Sequence, residues 1–544
     1  MLFHKLCHEY IQLHKGLFWS FIIISSISYI VKILVTPMIY SNIMDLTSAN
    51  FTSIIKQLCI LWTVVGVIYI VKLRLENKLF PEFLSFVRQR LLRLYLEKNK
   101  TDFNEASVSA DITRIFEVTR YMKDIFAWTA QFILPMCILI VVINSYFMYK
   151  LPVLGIINIG CNISIIGYVY KNYSSLVENS NQREAIYMNM VKKLDENFNN
   201  LMNIYLNNQV EPTLTTNEKI ETEYTHIYKQ QNEEVMNFTN TIKISNYVFA
   251  FICLYVLYIH SKRKDKDGDK GEAGEGGEDS RKQFVKILLI FTFYISTLEN
   301  LAEDIPFYIM TMGNIKNAEP FLHDVTNVQL RENYIQNYQG NITIDNISFK
   351  YKDSPIFTNF SMDIKKGERV GIIGQTGKGK STLMKLILQF YKVDDGAIYL
   401  DGQNVNDINV DAIRHHINYV NQKTTLFNDT ILNNMRYGND ATDEEVVELL
   451  TKYDLMRVFK SIDTVVEKNG TNISLGMQKV IFLVRGLLKK SSVYMLDEPF
   501  SSIDPATRAS VLKMIDECTK DKTLMVITHD SNGLESIFDK VVEL

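Results

Sequence analysis

The sequence predicts an α-helical membrane bundle of six spanning helices followed by an α/β domain. Two features carry this reading. Long apolar runs fill about the first 300 of the 544 residues, and past Gln339 short apolar strands alternate with helical segments. The length allows about three or four domain-sized units. Acidic and basic side chains nearly cancel, 61 against 58 for a formal charge of −3. That balance excludes a nucleic-acid-coating protein and an acidic disordered tail protein. Cysteines stand at 7, 59, 137, 161, 253 and 518, none with C-x-x-C spacing, so they read as inert thiols rather than a zinc site or disulfide framework.

A spanning helix needs about 20 mostly apolar residues, because lipid offers no water to the backbone. Six segments qualify: Leu17–Tyr40, Ile54–Val71, Ile125–Tyr146, Leu151–Tyr170, Ser245–His260 and Phe284–Leu301. The first is too long for a signal peptide and lacks a small-residue cleavage site. The second and fourth connections are long, polar and helix-like. Segment 72–124 holds eleven Lys and Arg, and segment 171–244 holds seven. Positive residues favour the cytoplasmic side, so both connections, the amino terminus and the carboxy-terminal half fall there. Each connection reads as a stalk of two helices continuing the membrane spans, with turns expected at Thr101–Asp111 and Asn208–Asn217. Residues 261–282 carry seven basic and seven acidic side chains among glycines and read as a solvated loop. Residues 1–312 are thus assigned to the membrane domain, 313–338 to a linker and 339–544 to the α/β domain.

The chemistry lies in the last part. RVGIIGQTGKGKSTLMKLIL runs from strand to helix and contains Gly374, Gln375, Thr376, Gly377, Lys378, Gly379, Lys380, Ser381 and Thr382 in the G-x-x-x-x-G-K-S phosphate-loop pattern. Glycines let backbone N–H groups converge on phosphate oxygens, and the helix N-terminus adds positive potential. Lys380 is expected to reach the β- and γ-phosphates and Ser381 to face Mg²⁺, with Lys378 pointing to solvent. SSVYMLDEP is a second strand ending in two carboxylates: Asp497 to hold the Mg²⁺ and Glu498 to deprotonate the attacking water. TLMVITHD is a third strand, and His529 after it reads as a γ-phosphate contact.

These motifs resemble the ATP-binding cassette (ABC) transporters, specifically exporter-type half-transporters with six membrane helices before one cassette. The resemblance implies a P-loop ATPase domain with an antiparallel β portion and a helical subdomain. It further implies that Tyr351 in SFKY stacks on adenine, and that Gln422 in YVNQKTTLFNDTI touches Mg²⁺ and relays to the membrane helices. Ser501–Asp504 would cross a dimer interface. ATP and Mg²⁺ are then the ligands, and a second half-transporter subunit, the lipid bilayer and an unidentified cargo the partners, with no nucleic acid.

The chain departs from the family at the signature, which usually reads LSGGQ. Here it is Ile473-Ser474-Leu475-Gly476-Met477, 23 residues before Asp497 counted from Ser474. Ser474 and Gly476 keep a hydroxyl and a backbone N–H for a partner's ATP, whereas leucine adds bulk where backbone should approach phosphate. Two readings stay open: a homodimer hydrolysing ATP at both sites, or a heterodimer in which ISLGM faces a weak site. A non-transporting, regulatory membrane ATPase is the alternative from another class.

In the membrane half, Glu299, Glu303 and Asp304 follow the sixth run. They read either as an acidic cavity face meeting a polar or cationic cargo, or as solvated groups beyond the bilayer. Residues 192–224 are faintly similar to the second stalk of mitochondrial half-transporters that export a sulfur- or glutathione-linked species. The first 16 residues lack an arginine-rich transit segment, so a mitochondrion-related organelle and the plasma membrane both stay open. The chain stops at DKVVEL, and the resemblance implies no carboxy-terminal regulatory domain.

Overall fold

The computed structural model describes residues 2–45, 51–101, 108–268, 275–326, 333–335, 338–351, 354–375, 377–422, 425–467, 470–529 and 537–544. The chain divides into two compact units, Met1–Tyr95 with Ala106–Thr326, and Leu96–Glu105 with Asn327–Leu544.

The first unit is helical: α1 (Leu2–Leu13), α2 (Lys15–Ile30), α3 (Thr36–Ser41), α4 (Phe51–Lys98), α5 (Val108–Trp128), α6 (Leu134–Lys150), α7 (Pro152–Asn199), α8 (Leu201–Leu206), α9 (Val210–Gly268), α10 (Glu275–Asn317) and α11 (Glu319–Thr326). Six stretches are long and apolar enough to cross a membrane: Lys15–Ser41, Phe51–Lys98, Asp111–Lys150, Pro152–Asn199, Val210–His260 and Gln283–Asn317. Five contain one of the six apolar runs whole and the fourth all but Leu151, so the chain is an integral multi-pass membrane protein. Two spans carry a π-helical turn, Val31–Val35 and Thr129–Ile133, each just before a proline, Pro37 or Pro135. Proline has no N–H to donate to the preceding turn, which widens instead. An aromatic cluster pins α1 to α4 and α5. Tyr10 donates to the Leu79 carbonyl at 3.0 Å, and Phe83 stacks on Phe126 with centroids 4.0 Å apart.

Three expectations are corrected here. The solvated loop at 261–282 is shorter, since α9 runs on to Gly268 and α10 begins at Glu275; residues 269–274 lie outside the described residues. Once a helix is nucleated by an apolar segment, extending it through charged residues costs little. The linker expected at 313–338 is helical through Thr326. Ala318, Phe321, Leu322 and Val325 fall on one helical stripe and bury against the α1–α4–α5 cluster. The second stalk turns at Asn207–Gln209, where Asn208 has φ 53°, and not over 208–217. Pro212 sits in the first turn of α9, where its missing N–H has no intrahelical acceptor anyway. The first stalk turn lies between Lys98 and Val108, and its residues 102–107 lie outside the described residues.

The second unit holds β1 (Ile342–Tyr351), β2 (Ser354–Ile364), β3 (Arg369–Ile373), α12 (Lys380–Ile387), β4 (Asp395–Leu400), β5 (Gln403–Asn404), α13 (Val410–His416) and β6 (Ile417–Val420). It continues through α14 (Ile431–Arg436), α15 (Asp443–Lys452), α16 (Leu475–Leu488), β7 (Val493–Asp497), α17 (Pro505–Cys518), β8 (Thr523–Ile527) and β9 (Lys540–Glu543). An antiparallel sheet has the order β2-β1-β4-β5, and a parallel sheet the order β6-β7-β8-β3-β9. Strands β7 and β8 are buried at every position, as a parallel sheet covered on both faces requires. Helix α12 packs Leu383, Leu386 and Ile387 into the core shared by both sheets. Helices α14, α15 and α16 build a second core around Ile431, Val446 and Ile481. Leu383 is fully buried directly behind the phosphate loop. Leu383→Ala is therefore expected to cost about 2–5 kcal/mol and lower the cassette's melting midpoint by at least about 5 °C in scanning calorimetry.

Candidate functional site

Strands β7, β8 and β3 are adjacent and parallel, so their carboxy-terminal ends open on one edge. The turn after β3 is built on glycines in conformations that favour glycine. Gly374, Gly377 and Gly379 have φ of 147°, 87° and 90°. A Cβ at Gly374 would strike the Leu544 carbonyl oxygen, and one at Gly379 the Ile356 side chain. The loop curls into the N-terminus of α12, where unpaired backbone N–H groups suit an anion. Lys380 folds back over the loop, its Nζ donating to the carbonyls of Gly374 at 2.7 Å and Gln375 at 3.0 Å. Burial pulls its ammonium below the ordinary lysine range, against the opposing pull of Glu498 and Asp497. Such a cation, held only by neutral carbonyls, is ready for a stronger anionic partner. Gln375, Lys378 and Ser381 lie on the loop or the first turn of α12, with Lys378 exposed; Thr376 lies outside the described residues.

Asp497 ends β7 with only 1% of its surface exposed. Its Oδ2 accepts from the Tyr419 hydroxyl at 3.1 Å, and Ser381 also hydrogen-bonds to it. Burial pushes its carboxyl up, opposed by the Ser381 and Tyr419 hydrogen bonds. A buried acid raised in this way weakens the fold as pH rises through its folded pKa, and a bound cation removes that penalty. Ser381 hydroxyl, Asp497 carboxylate and Gln422 amide are hard oxygen donors of the kind that suits Mg²⁺, so the residues present fit the ion.

Glu498 follows in a left-handed conformation, φ 48°, unusual for a side chain of its size. Its backbone N–H donates to the Ile527 carbonyl at 2.9 Å. Gln422 Nε2 donates to Glu498 Oε2 at 2.8 Å, and His529 Nε2 meets Glu498 Oε1 at 2.8 Å. The carboxylate is thereby held from both sides at the same strand edge as the phosphate loop. Tyr351 stands by the loop helix, its hydroxyl 3.3 Å from Thr382 Oγ1, and packs edge-on to Phe349 and Tyr391.

Sequence reasoning missed two residues. Tyr419 sits in β6, where INYV carries no distinguishing signal. Lys479, 5% exposed inside α16, donates to the Asp497 carbonyl at 3.2 Å. A lone lysine in the apolar helix GMQKVIFLV was the available signal. Lys100 and Arg414 form a further group that the motifs do not announce. Lys100 Nζ pairs with Asp411 Oδ2 at 2.8 Å, and the Arg414 guanidinium lies 4.0 Å over Phe390 while Nη2 donates to the Lys100 carbonyl. Burial brings Arg414 down to about 10.

Ser474 and Gly476 are not brought to this edge by their own contacts. Ser474 caps α16, its Oγ accepting from Met477 N–H at 3.2 Å. A Cβ at Gly476 would come 2.9 Å from the Ser502 carbonyl oxygen, which accounts for the retained glycine. Leu475 points outward, 67% exposed. In the first unit, Glu299 and Glu303 share a face of α10 toward α9, where Glu303 pairs with Lys243 and Glu299 with the Tyr247 hydroxyl. Asp304 is half-buried beside them.

Residues 357–501 match the ABC transporter family model. The mitochondrial iron-sulfur clusters transporter ATM1 of Debaryomyces hansenii is 36% identical over 236 residues, 42% of this chain and 32% of that protein. The ATP-dependent lipid A-core flippase of Pasteurella multocida is 34% identical over 209 residues, 37% of this chain and 36% of that protein. The matched stretch thus spans about a third of these relatives' length. A solved structure of a bacterial Atm1-family ABC exporter with ATP bound superposes with a TM-score of 0.78 at 17% identity, covering 98% of this chain and 93% of that one. Residues 357–501 thus match the ABC transporter family, and the whole chain shares the fold of that exporter.

Proposed function

We propose that this chain is one half of a dimeric exporter that couples ATP binding and hydrolysis to movement of a cargo across a membrane. The observation that carries the reading is the Glu498 carboxylate held between Gln422 and His529 beside the phosphate loop. In this reading Glu498 orients the attacking water and takes its proton, and Lys380 and His529 stabilise charge on the γ-phosphate. The phosphate loop and Tyr351 bind the nucleotide. Ser381, Asp497 and Gln422 would hold Mg²⁺, which when bound would neutralise charge on the phosphates. Gln422 touches the Glu498 carboxylate. The Lys100–Asp411 and Arg414–Lys100 contacts hold the turn after α4 against α13 within the second unit. Turnover of ATP by the purified chain in lipid nanodiscs, together with ATP-dependent uptake into inside-out vesicles, tests the reading. A chain that binds ATP without hydrolysing it would be the regulatory alternative.

A second reading, pairing with a different subunit, is favoured by Leu475. Leu475 is exposed at the start of α16, and in a dimer its bulk would crowd the place where a partner's γ-phosphate meets backbone. In a homodimer, Leu475→Gly is expected to raise turnover about tenfold, equivalent to about 1.4 kcal/mol of relieved crowding. Unchanged low turnover points to a heterodimer. The relatives named above act on unlike cargoes, so the cargo class has to come from the membrane unit.

A further inference from the structure

Helix α16 starts from the capping Ser474 and runs into the cassette's second core with a single lysine among its apolar residues. Lys479 is 5% exposed, and Val480, Ile481, Leu483 and Val484 after it are fully buried. Its Nζ donates to the Asp497 carbonyl at 3.2 Å. Taking an ammonium out of water costs free energy that one neutral acceptor repays poorly. As a tie between α16 and β7, an apolar side chain of similar length would serve better, so stability does not account for the lysine.

The peptide that Lys479 holds is the one that matters to the site. The Asp497 carbonyl and the Glu498 N–H belong to a single plane, which joins the two carboxylates. Lys479 grips the oxygen at one end, and at the other the N–H donates to the Ile527 carbonyl at 2.9 Å. The torsion φ of Glu498 sets where its side chain points relative to that plane. Its value, 48°, is left-handed, and a side chain of this size adopts it only under strain. A plane held at its N–H alone can pivot about that bond. Glu498 then relaxes toward negative φ and swings its carboxylate out from between Gln422 and His529.

We propose that Lys479 is a positioning residue for hydrolysis: by pinning the Asp497–Glu498 peptide it keeps Glu498 in the left-handed backbone that presents its carboxylate to Gln422 and His529. The role rests on the reading of Glu498 as the group that takes the water's proton, whereas the backbone lock itself does not. Lys479→Met keeps the length of the side chain and removes the donor. In the full chain in lipid nanodiscs it is expected to lower kcat for ATP at least about 20-fold with Mg·ATP affinity within about threefold of wild type, since a misaimed base loses rate and not binding. The melting midpoint without nucleotide should stay within about 2 °C of wild type or rise, because a buried charge and a strained backbone are both relieved. Added to Glu498→Gln, Lys479→Met should lower turnover by less than about a further twofold, as two changes acting through one carboxylate do not multiply. Cryo-electron microscopy of the Lys479→Met chain without nucleotide should show Glu498 at negative φ with its carboxylate out of hydrogen-bond reach of Gln422. A midpoint lower by more than about 5 °C makes Lys479 a structural tie and overturns the proposal. So does a loss of affinity that matches the loss of turnover, a multiplied loss in the double variant, or a Glu498 that stays in place when Lys479 is replaced. A wild-type chain without ATP turnover loses the hydrolysis reading alone. Microscopy then decides the lock, which is kept if Glu498 turns in the variant and lost if it does not.

Discussion

Glu498→Gln is expected to lower ATP turnover by the purified chain at least about 100-fold while leaving nucleotide affinity within about threefold of wild type. The amide has the same shape, so the Gln422 Nε2 donor, 2.8 Å from the present carboxylate, keeps an oxygen to bond, and the His529 side keeps a polar neighbour. What is lost is the capacity to take a proton from water. Because the substitution preserves the strand-edge geometry, including the Glu498 backbone bond to Ile527, a fall in turnover reports chemistry rather than unfolding. Phosphate release and binding of a fluorescent nucleotide measure the two quantities separately. A fall of less than about tenfold would move the base role to another group.

Lys380→Ala is the second large effect, and it acts on binding. Lys380 is 6% exposed, and its ammonium rests on two loop carbonyls at 2.7 and 3.0 Å. Replacing neutral acceptors with phosphate oxygens strengthens each bond, since hydrogen bonds to charged groups contribute about 1.5–3 kcal/mol. Solvent cannot substitute at a buried site. Wild-type chain with Mg·ATP at 100 times Kd gains about 2.7 kcal/mol, a rise of about 5–10 °C in the cassette's melting midpoint. In Lys380→Ala that rise is expected to fall below about 2 °C, with the melting point without ligand little changed. A full ligand-induced rise in the variant would remove Lys380 from nucleotide binding.

Much of this site could be read in advance because its parts are local. The phosphate loop is one contiguous run in which glycines, lysine and serine sit at fixed offsets, and the offsets are dictated by how closely backbone can approach a phosphate. Asp497 and Glu498 are neighbours at a strand end for the same reason. The six spans are equally legible, since bilayer thickness converts directly into a count of apolar residues. The misjudged segments are those where a neighbour decides. Residues 313–326 look like a polar linker until Ala318, Phe321, Leu322 and Val325 find the α1–α4–α5 cluster, and Pro212 reads as a break until the helix is seen to begin just before it.

The sequence by itself determined the class of the protein, its spans and the chemical types at the nucleotide edge, because each depends on spacing within a single segment. Only the tertiary structure decided that Gln422 and His529 clasp Glu498 and that Tyr419 and Lys479 brace Asp497. Those pairings join residues far apart in the chain, and what brings them together is strand order and helix packing, which no local pattern encodes.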